Sequence, residues 1–337
     1  MKARTVTGDV PPGDLGITDI HEHILCDFSR NFEQDAAHPD LRQATVSLQT
    51  LGVLTHNPLA IPDNLVLSDE SLAIEELAAY RRAGIATVVD PTTEELGRNP
   101  LALRRISEAT GIRIVACTGQ YIRTFLPAAL RRRTLQQLEE IMAREISDGI
   151  GETGVRAGII GELGTSEQIY PEEETALRAA ARVNRSLGAP LMVHTDPQSR
   201  LAPAALAILE SAGADLGKVS VCHLDSAFFE PQYYEAILAT GAYIEFDTFG
   251  ENFCLHPNYG PSDLDRVKAL CRLLERGHLG QIMLGCDVCL KCRLHRYGGW
   301  GYDHLLTNVV PAIRRLGVGP AELDAMLQEN PRKYLAF

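Results

Sequence analysis

Two histidines sit two residues apart in Thr18-Asp19-Ile20-His21-Glu22-His23, and along an extended strand that spacing puts both imidazoles on one face and Glu22 on the other. An H-x-H so placed can grip one cation. Four more ionisable residues close short apolar runs in the same way: Glu162 after Gly158-Ile159-Ile160-Gly161, His194 after Val193, His223 after Cys222, and Asp287 after Gly285-Cys286. Imidazole nitrogens and carboxylate oxygens suit Zn²⁺, with Mn²⁺ or Co²⁺ as alternatives of the same borderline kind. Six such ligands exceed what one ion needs, so the set implies two divalent ions about 3.5–4 Å apart, with Glu162 and a hydroxide as bridges. Two divalent cations against Glu162, Asp287 and a hydroxide leave a formal charge of about +1, a site that welcomes an anionic or strongly polarised substrate. Taken singly, each residue has an ordinary explanation: a lone histidine is usually a hydrogen-bonded core residue, and a glutamate or aspartate after glycine can cap a turn. Their shared position at the ends of apolar runs is what argues for a centre.

Something must bring six residues from across the chain together. The apolar runs fall at 16–20, 85–90, 113–117, 157–163, 190–194, 219–223, 243–247 and 281–287, and stretches of helical periodicity separate them at 69–83, 100–110, 134–147, 171–187, 202–212, 231–240 and 261–276, with two more at 302–316 and 320–328. Helix-end chemistry supports this division. Ser68 or Asp69 can cap the first long helix, Gly84 can end it in a left-handed conformation, and Pro171 followed by Glu172, Glu173 and Glu174 makes a favourable first turn. Strands alternating with helices imply a parallel sheet, and eight of each fit a closed (β/α)8 TIM barrel better than an open sheet. No G-x-G-x-x-G follows the first strand, so a dinucleotide fold has no support. In a barrel all six candidate ligands lie on the C-terminal face, where such folds build their sites.

The length of 337 residues fits a single barrel domain, 1–337, of about 250 residues enlarged by insertions. Two segments are too long and too rich in turn residues for ordinary connections: 25–67 after the first strand, read as a lid or subunit contact, and 249–261 after the seventh. The composition, 45% hydrophobic and 23% charged, is that of a globular chain. With 32 basic against 44 acidic residues the net charge is −12, and no basic run exceeds Arg131, Arg132 and Arg133, which argues against nucleic acid or an anionic membrane as partner. No signal-peptide core and no run of roughly 18 apolar residues occurs, and eight cysteines are too dilute for a disulfide scaffold. A cytoplasmic protein acting on a small molecule, possible as a homodimer, is the expectation.

These segments, with Tyr297-Gly298-Gly299-Trp300-Gly301-Tyr302 and Glu329-Asn330-Pro331, resemble the phosphotriesterase family of the amidohydrolase superfamily over nearly the whole chain, and its phosphotriesterase-related branch most of all. The resemblance implies that His21, His23 and Asp287 hold a more buried metal and His194 and His223 a more exposed one, with the bridge coming from strand four. Phosphotriesterases proper bridge with a carboxylated lysine. None of the five lysines, Lys2, Lys218, Lys268, Lys291 and Lys333, falls at that place, which Glu162 occupies. A glutamate offers the same bidentate anion without carbon dioxide and weakens any inference to organophosphates. Tyr121 falls where the family has an aromatic pocket residue.

Lys291, Arg293, His295 and Arg296 make a local basic cluster after strand eight that could clamp a substrate anion, or else be an ion-paired surface. Cys286, Cys289, Cys292 and His295 space like a metal run, but lack the second pair of a zinc site and the continuation of a ferredoxin. The expectation is therefore a binuclear hydrolase in which Asp287 takes the proton of the attacking water and passes it to the leaving group. A sugar or acyl lactone is the leading substrate class. An amide of a small anionic N-acyl compound and a phosphoester are the alternatives, and a ligand-binding barrel with degenerate activity is the non-enzymatic one.

Overall fold

A computed structural model describes residues 1–35, 38–252 and 260–337. The eight apolar runs become strands because both faces of each are covered, and residues buried on both sides need no polar alternation. They are β1 (Thr18–Asp19), β2 (Thr87–Asp90), β3 (Arg113–Thr118), β4 (Ile159–Thr165), β5 (Leu191–Thr195), β6 (Val219–Val221), β7 (Tyr243–Phe246) and β8 (Ile282–Leu284). Each pairs in parallel with its sequence neighbour in one eight-stranded sheet. Across the seam, Ile20 N donates to Leu284 O at 3.1 Å and Asp287 N to His21 O at 2.9 Å, so the expected (β/α)8 barrel closes beside two of the candidate ligands. Its interior is filled by Ile20, Val89, Val115, Ile159, Met192 and Met283, all buried.

Between the strands run α1 (Glu70–Ala83), α2 (Pro100–Thr110), α3 (Leu135–Ser147), α4 (Pro171–Leu187), α5 (Ala202–Ser211), α6 (Pro231–Leu238) and α7 (Asp263–Glu275), and α8 (Val310–Arg315) follows β8. Of the two caps proposed for α1, Asp69 is the one used, accepting from Ser71 N and Leu72 N, and Gly84 ends the helix at φ 119°. Glu173 does more than favour a helix dipole. It is buried, and its oxygens accept from Arg123 N, Ser166 Oγ and Tyr170 N, tying the loops after β3 and β4 to α4. The two last expected helices are each interrupted by a wide π turn, Leu305–Val309 and Ala325–Glu329. Pro311 and Pro331 follow these turns, and a proline lacks the amide and crowds the carbonyl four residues back, here those of Thr307 and Leu327.

The ends of the barrel differ. Below, a hairpin of Ala3–Thr5 and Gly8–Val10 and the helix Asn330–Leu335 pack Ala3, Tyr334 and Leu335 against the barrel interior, and Lys2 and Phe337 exchange backbone hydrogen bonds at 2.9 Å. None of this was expected from sequence. Above, the segment 25–67 is tied at its base by an antiparallel pair, Cys26–Asp27 with Val66–Leu67, and folds over a small core of Leu41, Val46, Leu54, Ala60 and Ile61. Of the second long connection, residues 253–259 lie outside the described residues. Among the described residues, no helix is long and apolar enough to cross a membrane.

Candidate metal centre

The six candidate ligands meet at the C-terminal end of the barrel. β1 ends just before His21, and the alternation holds: His21 and His23 turn inward while Glu22 Oε2 accepts from Val288 N at 2.7 Å. Glu162 is not at the end of its strand, as its place after Ile160-Gly161 implied, but within β4, where the register with β5 shifts between Ile160 and Leu163. A bulge of this kind re-aims a side chain. Gly161 makes it possible, with φ 123° and no room for a side chain, since a Cβ there would lie 2.3 Å from Met192 O. His223 and Asp287 also have left-handed backbones, φ 60° and 49°, a conformation costing roughly 1–3 kcal/mol for such residues. Hydrogen bonds hold both there: His223 N donates to Asp247 Oδ1 at 2.9 Å, and Asp287 N to His21 O.

The donor atoms form two groups. His21 Nε2 lies 4.0 Å from Glu162 Oε1 and 3.8 Å from Asp287 Oδ1, and His23 Nε2 lies 3.8 Å from Glu162 Oε2 and 3.4 Å from Asp287 Oδ1. Tetrahedral ligands at zinc bond lengths stand about 3.4 Å apart, so these spacings fit a cation shell with slight slack. His21 Nε2, Glu162 Oε2 and Asp287 Oδ1 are buried without hydrogen-bond partners among the described residues. Buried polar atoms are seldom left so, and three converging on one point fit a cation there. On the other side, His194 Nδ1 and His223 Nε2 approach Glu162 Oε1 at 2.6 and 2.8 Å. One carboxylate thus faces both groups, the role expected of a bridge.

Electrostatics follow from burial. Burial pushes the Asp287 carboxyl up to about 7 against the pull of the neighbouring histidines, and drives the His23 imidazole down to about 3. Burial would also raise Glu162, but His194 and His223 hold it well below the usual carboxylate range. Sequence reasoning missed the residues behind the ligands. Asp247 Oδ2 lies 3.2 Å from His21 Nδ1 and 3.3 Å from His223 Nδ1, Glu245 Oε2 lies 3.2 Å from His21 Nδ1, and Thr92 Oγ1 pairs with His23 Nδ1 at 2.7 Å. Asp247 closes the seventh run just as Asp287 closes the eighth, so its position was a readable signal.

Over the donors lies a cavity of about 270 Å³. Tyr121 is in its wall, buried and edge-on to His194 with ring centroids 4.9 Å apart, and Phe28 stands 5.2 Å from His23. Leu59, Leu65 and Leu290 add apolar surface, and no Lys or Arg belongs to the described lining. The basic cluster after β8 is therefore not brought into the cavity. Lys291 Nζ pairs with Asp63 at 2.5 Å, and His295 pairs with Asp303. Arg293 is buried behind the site, donating to Asp287 O at 2.9 Å and to Phe249 O. Its charge supports the backbone of Asp287 where sequence suggested a clamp. The cysteine run also separates: among the described residues, no cluster of potential ligands contains two of Cys286, Cys289 and Cys292.

Residues 1–335 match the model of the phosphotriesterase family. The chain belongs to the phosphotriesterase family. It is 34% identical over 342 residues to an N-acetyltaurine hydrolase of Tetraodon nigroviridis, covering 100% of this chain and 98% of that one. A phosphotriesterase-related protein of Nematostella vectensis is 33% identical over 344 residues, covering 99% and 98%. The crystal structure of a resiniferatoxin-binding protein from Rhodobacter sphaeroides superposes with a TM-score of 0.96 at 35% identity, covering 99% of this chain and 95% of that one. The protein is a hydrolase of this family, and its clusters of histidine and carboxylate can bind metal.

Proposed function

We propose that this hydrolase cleaves the amide bond of small N-acyl compounds whose amine part carries an anion, using two divalent ions held by His21, His23, Glu162, His194, His223 and Asp287. The observation that carries the hydrolytic reading is the meeting of unpartnered buried atoms of His21, Glu162 and Asp287 with the three other imidazoles under one cavity. The choice of amide over lactone rests on full-length relatives named for N-acetyltaurine hydrolysis. Zn²⁺ is the favoured ion for a shell of imidazole and carboxylate.

When bound, such ions supply a nucleophile from water at neutral pH and polarise the substrate carbonyl. Glu162 holds both halves of the centre in register. Asp287, at the boundary of the donors and the cavity, accepts the proton released on attack and delivers it to the departing nitrogen. Phe28, Tyr121 and Leu290 exclude water and receive the acyl group. The described wall offers the anion no Lys or Arg and includes Glu251, which faces Arg293 at 3.5 Å, so the ions, when bound, would have to supply the attraction for the anion. The same apolar wall suits an acyl lactone, which is the second reading. Turnover of N-acetyltaurine, N-acetyl amino acids, γ- and δ-lactones and phosphoesters should be compared on metal-replete protein. Release of free amine at the highest kcat/KM is expected; hydrolysis confined to lactones would overturn the amide reading.

A further inference from the structure

The cavity over the donors has a carboxylate in its wall that the donor set does not use. Among the described residues its acids are Glu162, Asp287 and Glu251, and the first two are candidate ligands. Glu251 belongs to the loop after β7, and its side chain lines the cavity with 23% of its surface exposed.

Several contacts fix where this carboxylate stands. Glu251 N donates to Thr248 O at 3.0 Å, and Arg266 Nη2 donates to Glu251 O at 3.1 Å. Gly250 turns the chain at φ 90°, in a place where a Cβ would lie 2.8 Å from Arg293 Nη2. Arg293 Nη1 faces Glu251 Oε1 at 3.5 Å, and Oε2 has no hydrogen-bond partner among the described residues. One oxygen is thus turned to a buried cation that offsets the charge, while the other is available as an acceptor.

The neighbour of Glu251 is the group that carries the proton in the proposed reaction. An oxygen of Glu251, an oxygen of Asp287 and Cys289 Sγ lie within 4.8 Å of one another. Two oxygens no farther apart than this can both stand about 2.9 Å from a single nitrogen. A departing amide nitrogen needs both: its lone pair meets the proton held by Asp287, and its N–H needs an acceptor. The oxygen of an ester or lactone in the same place carries no hydrogen, and its lone pairs would face a carboxylate.

We propose, resting on the amide reading above, that Glu251 is the residue that selects an amide over an ester or lactone, by accepting the N–H of the scissile bond. The oxygen of water joins the carbonyl carbon, and the C–N bond breaks with its electron pair going to nitrogen. The proton that Asp287 took from the water joins that pair, and the amine leaves. Glu251 neither gains nor loses a proton. It holds the nitrogen with its lone pair towards Asp287, and a site built around such a hydrogen bond discriminates against an analogue that lacks the donor.

The test compares N-acetyltaurine with the ester that has oxygen in place of its nitrogen, on metal-replete wild-type, Glu251→Gln and Glu251→Ala proteins. In Glu251→Gln, Arg293 retains the side-chain carbonyl oxygen and the NH₂ group faces the cavity, a donor where an acceptor stood. The amide-to-ester ratio of kcat/KM is expected to fall about tenfold or more in both variants, with bound metal per chain as in the wild type. Wild-type amide turnover with an unchanged ratio in both variants, whether the two activities persist or fall together, would overturn the proposal, as would loss of metal from the variants. Absence of amide turnover by the wild type would overturn the reading on which it rests, and the proposal with it.

Discussion

The two halves of the donor cluster are built differently. In the inner half every candidate ligand other than Glu162 is held from behind: His21 by Glu245 and Asp247, His23 by Thr92, and Asp287 through its backbone by His21 and Arg293. In the outer half His223 leans on the same Asp247, but His194 has a side chain 15% exposed, an edge-on contact with Tyr121, and no ring-nitrogen partner other than Glu162 among the described residues. A ligand whose second nitrogen is fixed is preorganised and binds more tightly. On the proposed function, the inner position would retain an ion, and the outer one would exchange its ion and meet substrate.

Substitutions can break this contrast at graded points. Asp287→Asn removes the proton acceptor while keeping the shape of the inner half, and kcat should fall roughly 10²–10⁴-fold with unchanged thermal stability. Asp247→Asn weakens the support of both halves, and metal affinity measured by competition with a chromophoric chelator should drop about 10–100-fold for both ions. Among the candidate ligands Thr92→Val touches His23 alone, so an effect of about tenfold should be confined to the more tightly held ion. Tyr121→Leu loosens only the outer half; a rise in KM equivalent to about 1 kcal/mol is expected with little change in kcat.

The barrel was legible because its strands are buried on both faces, so each reads as an apolar run ended by a polar residue, and because Asp69, Gly84 and Pro171 mark helix ends by their own chemistry. The candidate ligands other than Glu162, which lies within β4, were legible for the same reason, as polar residues that follow the runs. What escaped depends on contacts between distant segments. The hairpin Ala3–Thr5 and Gly8–Val10 is too short to announce itself and is held by the barrel floor, as when Val6 N donates to Ile114 O at 2.8 Å. Arg293 reads as part of an anion clamp or an ion-paired surface, yet carbonyls from two loops take its donors and Glu251 faces it at 3.5 Å, which allows it to be buried. For Lys291 the sequence leaves open an anion clamp or an ion-paired surface, and Asp63, from the long insertion, makes it the ion pair. Asp247 was overlooked for another reason: it sits at a strand end like most of the candidate ligands but stands one layer behind them.

The most direct test follows metal content and turnover together while a chelator is dialysed against the protein, with metals counted by inductively coupled plasma mass spectrometry. Two divalent ions per chain should leave in two phases, activity vanishing with the first, and His194→Ala should retain the slow ion alone. Full turnover with one ion or none bound, or loss of both ions in a single phase, would contradict a centre with a retained inner and an exchangeable outer position.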